Sequence, residues 1–365
     1  MTQLRSLIRH LESFAPPVLQ ETYDNSGLLV GHPDMEVAGV TVSLDCTEEV
    51  IREAVANGSN VVVAHHPIVF GGLKRLTGRN YIERTVLEAI RNGVAIYAIH
   101  TNLDNVRQGV NLKISERLGL INARILSPKK GLLRKLITFC PLAHTENVLN
   151  ALFSAGAGSI GDYDECSFTS KGIGSYRPLK GSAPFIGQHG VRQNEQEERL
   201  EVIFEFWKEQ DILSALRSAH PYEEVAYDLY ALENEHHLVG SGMIGELTEA
   251  MDEPTFMHFL KDVMKTACIR HSRLLGKKVE KISVCGGAGG FLLPDAKRAG
   301  ADVFITADYK YHQFFDANGS LVIADIGHYE SEQFTMHLLH DLIVQKFTTF
   351  AVRLTGVSTN PVHYY

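Results

Sequence analysis

Three short stretches, far apart in the chain, each place metal-ligating side chains directly after an apolar run. They are Ala64-His65-His66-Pro67 after Asn60-Val61-Val62-Val63, His100-Thr101-Asn102-Leu103-Asp104 after Val94-Ala95-Ile96-Tyr97-Ala98-Ile99, and Gly327-His328-Tyr329-Glu330-Ser331-Glu332 after Leu321-Val322-Ile323-Ala324. Runs that are apolar at nearly every position suit strands buried on both faces, and such strands belong to parallel sheets covered by helices. In open α/β sheets, ligands bind beyond the carboxyl ends of the strands. All three donor stretches fall at that place.

The residues around them fit the same class. Up to about residue 128 the pattern alternates: a strand at 39–44, a helix at 47–56, the Val61 strand, a helix at 82–92 and the Val94 strand. From about 238 it alternates again, with a helix at 256–267, a strand at 281–285, a helix at 294–299, a strand at 303–306 and the Leu321 strand. Alternation of this kind marks βαβ units. Between them, residues 129–237 change in texture: a strand at 136–140, a helix at 146–155, a Gly-rich polar stretch at 156–190, then a strand at 200–206, a helix at 211–219 and a strand at 225–230. That order is the split βαβ pattern of ferredoxin-like folds and reads as an inserted domain. The expected organisation is therefore a core built from 1–128 and 238–365, interrupted by an α+β domain at 129–237. A site shared by the three donor stretches requires the two outer halves to pack as one unit.

Composition narrows the function classes. With 365 residues and 44% hydrophobic content the chain can bury a large core. Its 43 acidic against 35 basic residues give a net charge of -8, which disfavours a general attraction to nucleic acid or anionic membrane. The five cysteines, Cys46, Cys140, Cys166, Cys268 and Cys285, have no C-x-x-C spacing, so neither a disulfide scaffold nor a thiolate zinc ribbon is expected. The first eleven residues read as an amphipathic helix interrupted by arginines rather than a signal peptide, and a soluble cytoplasmic protein is expected.

The candidate donors allow a two-metal centre. On extended backbone His65 and His66 point to opposite faces, so each can reach a different ion. A helix starting near Gly327 puts His328 and Glu332 on one face, and a carboxylate can bridge. Asp104 supplies a second anionic ligand. Imidazole and carboxylate without thiolate suit Zn, Fe, Mn or Co, and a closely spaced pair of such ions activates water for hydrolysis. The turn Cys285-Gly286-Gly287-Ala288-Gly289-Gly290 follows a strand and precedes a helix, so the amides of Gly286, Gly287 and Gly289 are candidates to bind a substrate anion; a tight turn requiring positive φ is the other reading. It lacks the spacing of a dinucleotide fingerprint and the Lys-Ser/Thr of a P-loop. Asp45 reads as the cap of the helix near Thr47. Asp308 and His312 read as lining the same crevice, Tyr23-Asp24-Asn25-Ser26-Gly27 as a turn, and Cys285 as having no catalytic role.

Together, Tyr23-Asp24-Asn25-Ser26-Gly27, the three donor stretches and the Gly286 turn resemble the NIF3-like dinuclear metal proteins, also named GTP cyclohydrolase 1 type 2 homologs. Gly156-Ala157-Gly158, Tyr163, Cys166-Ser167-Phe168 and His220-Pro221-Tyr222-Glu223-Glu224 resemble the PII-like or CutA1-like insertion of the longer bacterial members. The resemblance implies two divalent ions per subunit, one on His66 and Asp104, the other on His65 and His328, with Glu332 bridging. It places His100 near the metals as an orienting or proton-relay residue. It further implies a toroidal homohexamer and a metal-activated water attacking a nucleotide or related small molecule, GTP in the narrowest version. A ring-shaped binding or regulatory protein, for nucleic acid or a protein partner, is the alternative of a different class.

Overall fold

The computed structural model describes residues 2–365, a mixed α/β chain that forms two compact units. One is made of the segments up to Ser127 and from Val239 onward, the other of Pro128–Leu238. In chain order the first unit opens with β1 (Gly27–Val30), β2 (Gly39–Ser43), β3 (Val61–Ala64) and β4 (Ala95–Ala98), and then β5 (Ile121–Lys130). The second unit holds β6 (Leu133–Pro141), β7 (Ser167–Tyr176), β8 (Gln193–Glu205) and β9 (Tyr227–Leu232). The remaining strands are β10 (Glu235–Asp252), β11 (Arg270–His271), β12 (Lys278–Val284), β13 (Val303–Thr306), β14 (Val322–Asp325) and β15 (Ala351–Leu354).

Two sheets carry the first unit. One has the order β1-β4-β3-β2-β15, parallel from β4 through β15, with β1 antiparallel at its edge. The other has the order β11-β14-β13-β12-β10-β5, in which β12, β13 and β14 are parallel. Every residue of β2, β3, β4, β13 and β14 is buried, which is why their apolar runs show no polar alternation. Helices Glu48–Ala56 and Tyr81–Arg91 close the crossovers, and each starts on a capping side chain: Thr47 accepts from the Val50 amide and Asn80 from the Glu83 amide. Their apolar faces place Val50, Ile51, Ala54, Val86 and Ala89 against Val62, Ala64 and Ile96. Full burial of each valine or isoleucine side chain stabilises the fold by roughly 1.5–3 kcal/mol. Thr47, rather than Asp45, is the cap.

In the second unit the sheet order is β7-β8-β6-β9, all antiparallel, and the elements run strand, helix, strand, strand, helix, strand. Helices Thr145–Ser154 and Glu209–Ala219 bury Val148, Leu152, Ile212 and Leu216 against Leu136, Leu200, Val202 and Phe204. Part of the stretch read as irregular and Gly-rich, 156–190, is the edge strand β7. Its residues are mostly exposed and include Gly172 and Gly174, so no burial pattern announces it. Among the described residues no helix is long and apolar enough to cross a membrane.

Candidate metal centre

Every candidate donor sits one to seven residues past the carboxyl end of a parallel strand. His65 and His66 follow β3, His100 and the short helix Thr101–Asp104 follow β4, and the helix His328–Glu332 follows β14. Gly327 takes φ +93°, a turn that aims His328 and Glu332 back toward the strand ends. The structure brings His65, His66, Asp104, His328 and Glu332 together although up to 267 residues separate them in sequence.

The grouping of the donors differs from the one the resemblance implies. Glu332 divides its oxygens: Oε1 lies 3.9 Å from His65 Nε2, while Oε2 lies 2.9 Å from His66 Nε2 and 3.1 Å from His328 Nε2. His65 Nε2 also faces Asp104 Oδ1 at 3.7 Å, and the His66 and His328 Nε2 atoms are 3.4 Å apart. The sets are thus His65 with Asp104 and His66 with His328, with Glu332 common to both. In this geometry Asp104 lies nearer His65 and His328 nearer His66, whereas the resemblance implies the opposite pairing. His65, His66 and His100 form a third set of donors.

Each imidazole is held by its far nitrogen. His65 Nδ1 donates to the Ile99 carbonyl at 2.8 Å, His66 Nδ1 to Asp45 at 2.8 Å, His328 Nδ1 to Asp308 at 2.7 Å and His100 Nδ1 to Asp24 at 2.7 Å. Such partners fix the tautomer and leave Nε2 toward the centre. Asp45 is therefore an orienting residue, itself held by Thr359 at 2.8 Å. Asp24 also accepts from the Thr101 amide at 3.0 Å and from its hydroxyl. Its part was hidden in a stretch that reads as a turn, since nothing in the spacing of Asp24 and His100 signals their pairing. Asp308 lines the cleft as expected from its position after β13. His312 does not: it stacks on the exposed Phe315, outside the residues that line the cleft.

The amides of the glycine turn are engaged within the protein. The Gly286 amide donates to Asn111 Oδ1, Gly287 to Ser331 Oγ and Gly289 to Thr306 Oγ1, each at 2.9 Å. These donors are occupied and do not form an anion nest. Gly287 has φ +64°, and a Cβ there would stand 2.5 Å from Glu332 Oε1, so the turn is glycine to make room for the Glu332 carboxylate. Cys285 is buried, burial pushes its thiol pKa up, and it belongs to none of the donor groups that lie close enough together to hold an ion.

Two buried atoms at the middle of this cluster, His65 Nε2 and Asp104 Oδ1, have no hydrogen-bond partner. Leaving a buried polar atom unsatisfied costs roughly 1–3 kcal/mol, and a cation between the two would satisfy both. Burial drives His65 down to about 3, so Nε2 presents a lone pair. Burial also opposes charge on His66 and His328, but their contacts with Asp45, Asp308 and Glu332 outweigh it and raise them to about 9 and about 11. Burial raises Asp104, as does Glu332 beside it; Glu332 is held low, against burial, by His328 and His66. A mixed nitrogen and oxygen set with no thiolate fits Zn, Fe, Mn or Co.

The cleft above the donors has a volume of about 730 Å³. Tyr23 and Phe70, stacked with centroids 6.3 Å apart, form an aromatic shelf at its edge, with Phe291 and Tyr364 also in the lining. Arg270 is the one Lys or Arg among the lining residues, and its guanidinium is engaged by Asp325 at 3.2 Å and the Tyr309 carbonyl at 2.7 Å.

Comparison with known proteins agrees over nearly the whole length. The family model described as DUF34/NIF3 (NGG1p interacting factor 3) matches residues 2–361. A Halalkalibacterium halodurans protein named GTP cyclohydrolase 1 type 2 homolog is 37% identical over 365 residues, covering 98% of this chain and 97% of that one. A Bacillus subtilis protein of the same name is 37% identical over 327 residues, covering 89% and 88%. Among solved structures, a Bacillus cereus protein related to NIF3 superposes with a TM-score of 0.89 at 35% identity, covering 100% of this chain and 99% of that one. A Staphylococcus aureus protein does so with a TM-score of 0.80 at 27% identity and the same coverage.

Proposed function

Because the chain belongs to the DUF34/NIF3 family and gathers five nitrogen and oxygen donors in one cleft, we propose that it is a dinuclear metal-dependent hydrolase. His65, Asp104 and Glu332 Oε1 would hold one cation, and His66, His328 and Glu332 Oε2 the other. The observation that carries this reading is the pair of buried, unpartnered atoms His65 Nε2 and Asp104 Oδ1 facing each other across 3.7 Å. Divalent cations bound there would supply Lewis acidity and lower the pKa of coordinated water. Asp45, Asp308 and the Ile99 carbonyl hold the imidazoles in register. His100, fixed through Nδ1 by Asp24 and packed 5.3 Å from the rings of both His65 and His66, would pass a proton through Nε2.

The narrower reading, ring opening of GTP as the relatives' name says of them, has partial support in this cleft. Its volume takes a nucleotide and the Tyr23–Phe70 shelf can stack a base. A triphosphate, however, meets no uncommitted guanidinium or ammonium, and the glycine amides are occupied. A small substrate of low charge fits better. The test is metal analysis of the purified protein, then a screen of nucleotides, phosphoesters and cyclic amides with wild type beside His65→Ala. Turnover in wild type that is lost with the metal in the variant supports hydrolysis; no turnover of any substrate with ions bound overturns it in favour of a non-catalytic binding role.

A further inference from the structure

The second unit has its own cavity, of about 680 Å³, that the metal chemistry does not use. Its floor is the β7–β8–β6 face and its walls are Tyr176, Phe185, Tyr222 and Phe139. Tyr176 and Phe185 pack against Tyr222 with centroids 5.8 and 6.4 Å apart. Into this aromatic space reaches Glu197, which is only 8% exposed. Its side chain crosses over Gly174, where a Cβ would stand 2.0 Å from Oε2, and Oε1 accepts a 2.8 Å hydrogen bond from the Tyr222 hydroxyl. Among the described residues no Lys, Arg or His pairs with it.

A buried carboxylate with a single neutral donor and no counter-charge is expensive to hold in a protein. Two cations, Lys171 and Arg199, also line the cavity, and neither is within ion-pair distance of Glu197. Arg199 turns to Glu201 at 3.0 Å, and the imidazole of His220 is used at both nitrogens, by the Phe139 carbonyl at 2.9 Å and the Tyr222 amide at 3.1 Å. Glu223 and Glu224 also line the cavity but are exposed, and Glu223 accepts from the Ala183 amide at 2.7 Å, so Glu197 is the one buried acid of the lining; one buried carboxylate is too few donors for a metal ion, and its charge repels anions. Aromatic faces around a carboxylate instead favour an organic cation, through cation–π attraction to the rings and a charge-assisted hydrogen bond to the acid. The volume lies within the roughly 300–1,000 Å³ of small-molecule sites.

We propose that this cavity binds a small organic ammonium or amidinium compound with an apolar or aromatic body, its cation on Glu197 and its body between Tyr176, Phe185 and Tyr222. The experiment is calorimetric titration of the full-length protein with 2-phenylethylammonium, beside the isosteric 2-phenylethanol and phenylacetate. Binding is expected for the ammonium alone, weakened at least about tenfold by Glu197→Gln, with circular dichroism and metal content unchanged. Phe185→Ala keeps the acid and loses a wall, and about tenfold weakening is expected there too. Absence of ammonium binding, equal binding of phenylacetate, or unaltered affinity in Glu197→Gln overturns the proposal. Ammonium binding that appears only when the chain is dissociated to monomers also overturns it, since a cationic side chain of a second copy then occupies the site.

Discussion

His65 in the first unit and His220 in the second are both buried histidines, yet the two regions use them in opposite ways. Both ring nitrogens of His220 find protein partners, the Phe139 carbonyl and the Tyr222 amide. His65 has one, the Ile99 carbonyl, and its Nε2 has none. A satisfied imidazole knits a loop to a strand, whereas an unsatisfied one in a ring of carboxylates asks for a group from outside the chain. The same contrast separates the two cavities: five donors converge in one, and a single buried acid, Glu197, stands among aromatic walls in the other.

The largest expected effect falls on the shared ligand. Glu332→Ala should weaken metal binding more than about hundredfold, read as metal per chain by elemental analysis after dialysis; metal content equal to that of wild type would break the contrast. Asp45→Asn keeps the shape but weakens the acceptor that orients His66, and a loss of about 10–100-fold in metal affinity is expected in a competitive chelator titration. A smaller change, confined to the second unit, is expected from His220→Ala, which orphans the Phe139 carbonyl and the Tyr222 amide. It should cost about 1–3 kcal/mol in denaturant unfolding and leave metal content untouched. If metal is lost there as well, the two histidines do not differ as argued.

The smallest effect concerns acid. Burial of Glu205 opposes its charge, but His236 at 3.8 Å and Lys208 at 3.0 Å outweigh that and hold it at about 2, below its ordinary value of 4.5. A folded-state pKa below the unfolded one contributes stability that is complete above about 4.5 and is lost as pH falls toward about 2. Trp207, the chain's single tryptophan, stacks on His236 and reports on this corner. Its fluorescence-detected unfolding midpoint should fall between about pH 5 and about pH 3, and Glu205→Gln should flatten that slope.

The parts of the fold that could be read in advance are those whose burial is uniform. β3, β13 and β14 are continuous apolar runs because both faces are covered, and their ends are placed to within a residue or two by the polar donors that follow. β7 escaped because an exposed edge strand with two glycines carries no burial signal, and β11, two exposed residues long, left none either. At the site the donors were legible by type and position, while their partners were not. Asp24 meets His100 across 76 residues and Asp45 meets His66 across 21, pairings that depend on how loops pack rather than on spacing.

By itself, then, the amino-acid order determined which residues form buried strands and which ligating side chains stand at their carboxyl ends, because burial and side-chain chemistry are local properties that leave a periodic trace. Only the tertiary structure decided that Glu332 turns one oxygen to His65 and the other to His66 and His328, and that the amides of Gly286, Gly287 and Gly289 serve Asn111, Ser331 and Thr306 instead of a ligand. Hydrogen bonds and shared ligation depend on distances of a few ångströms between segments far apart in the chain, and those distances exist only once the two sheets of the first unit have packed.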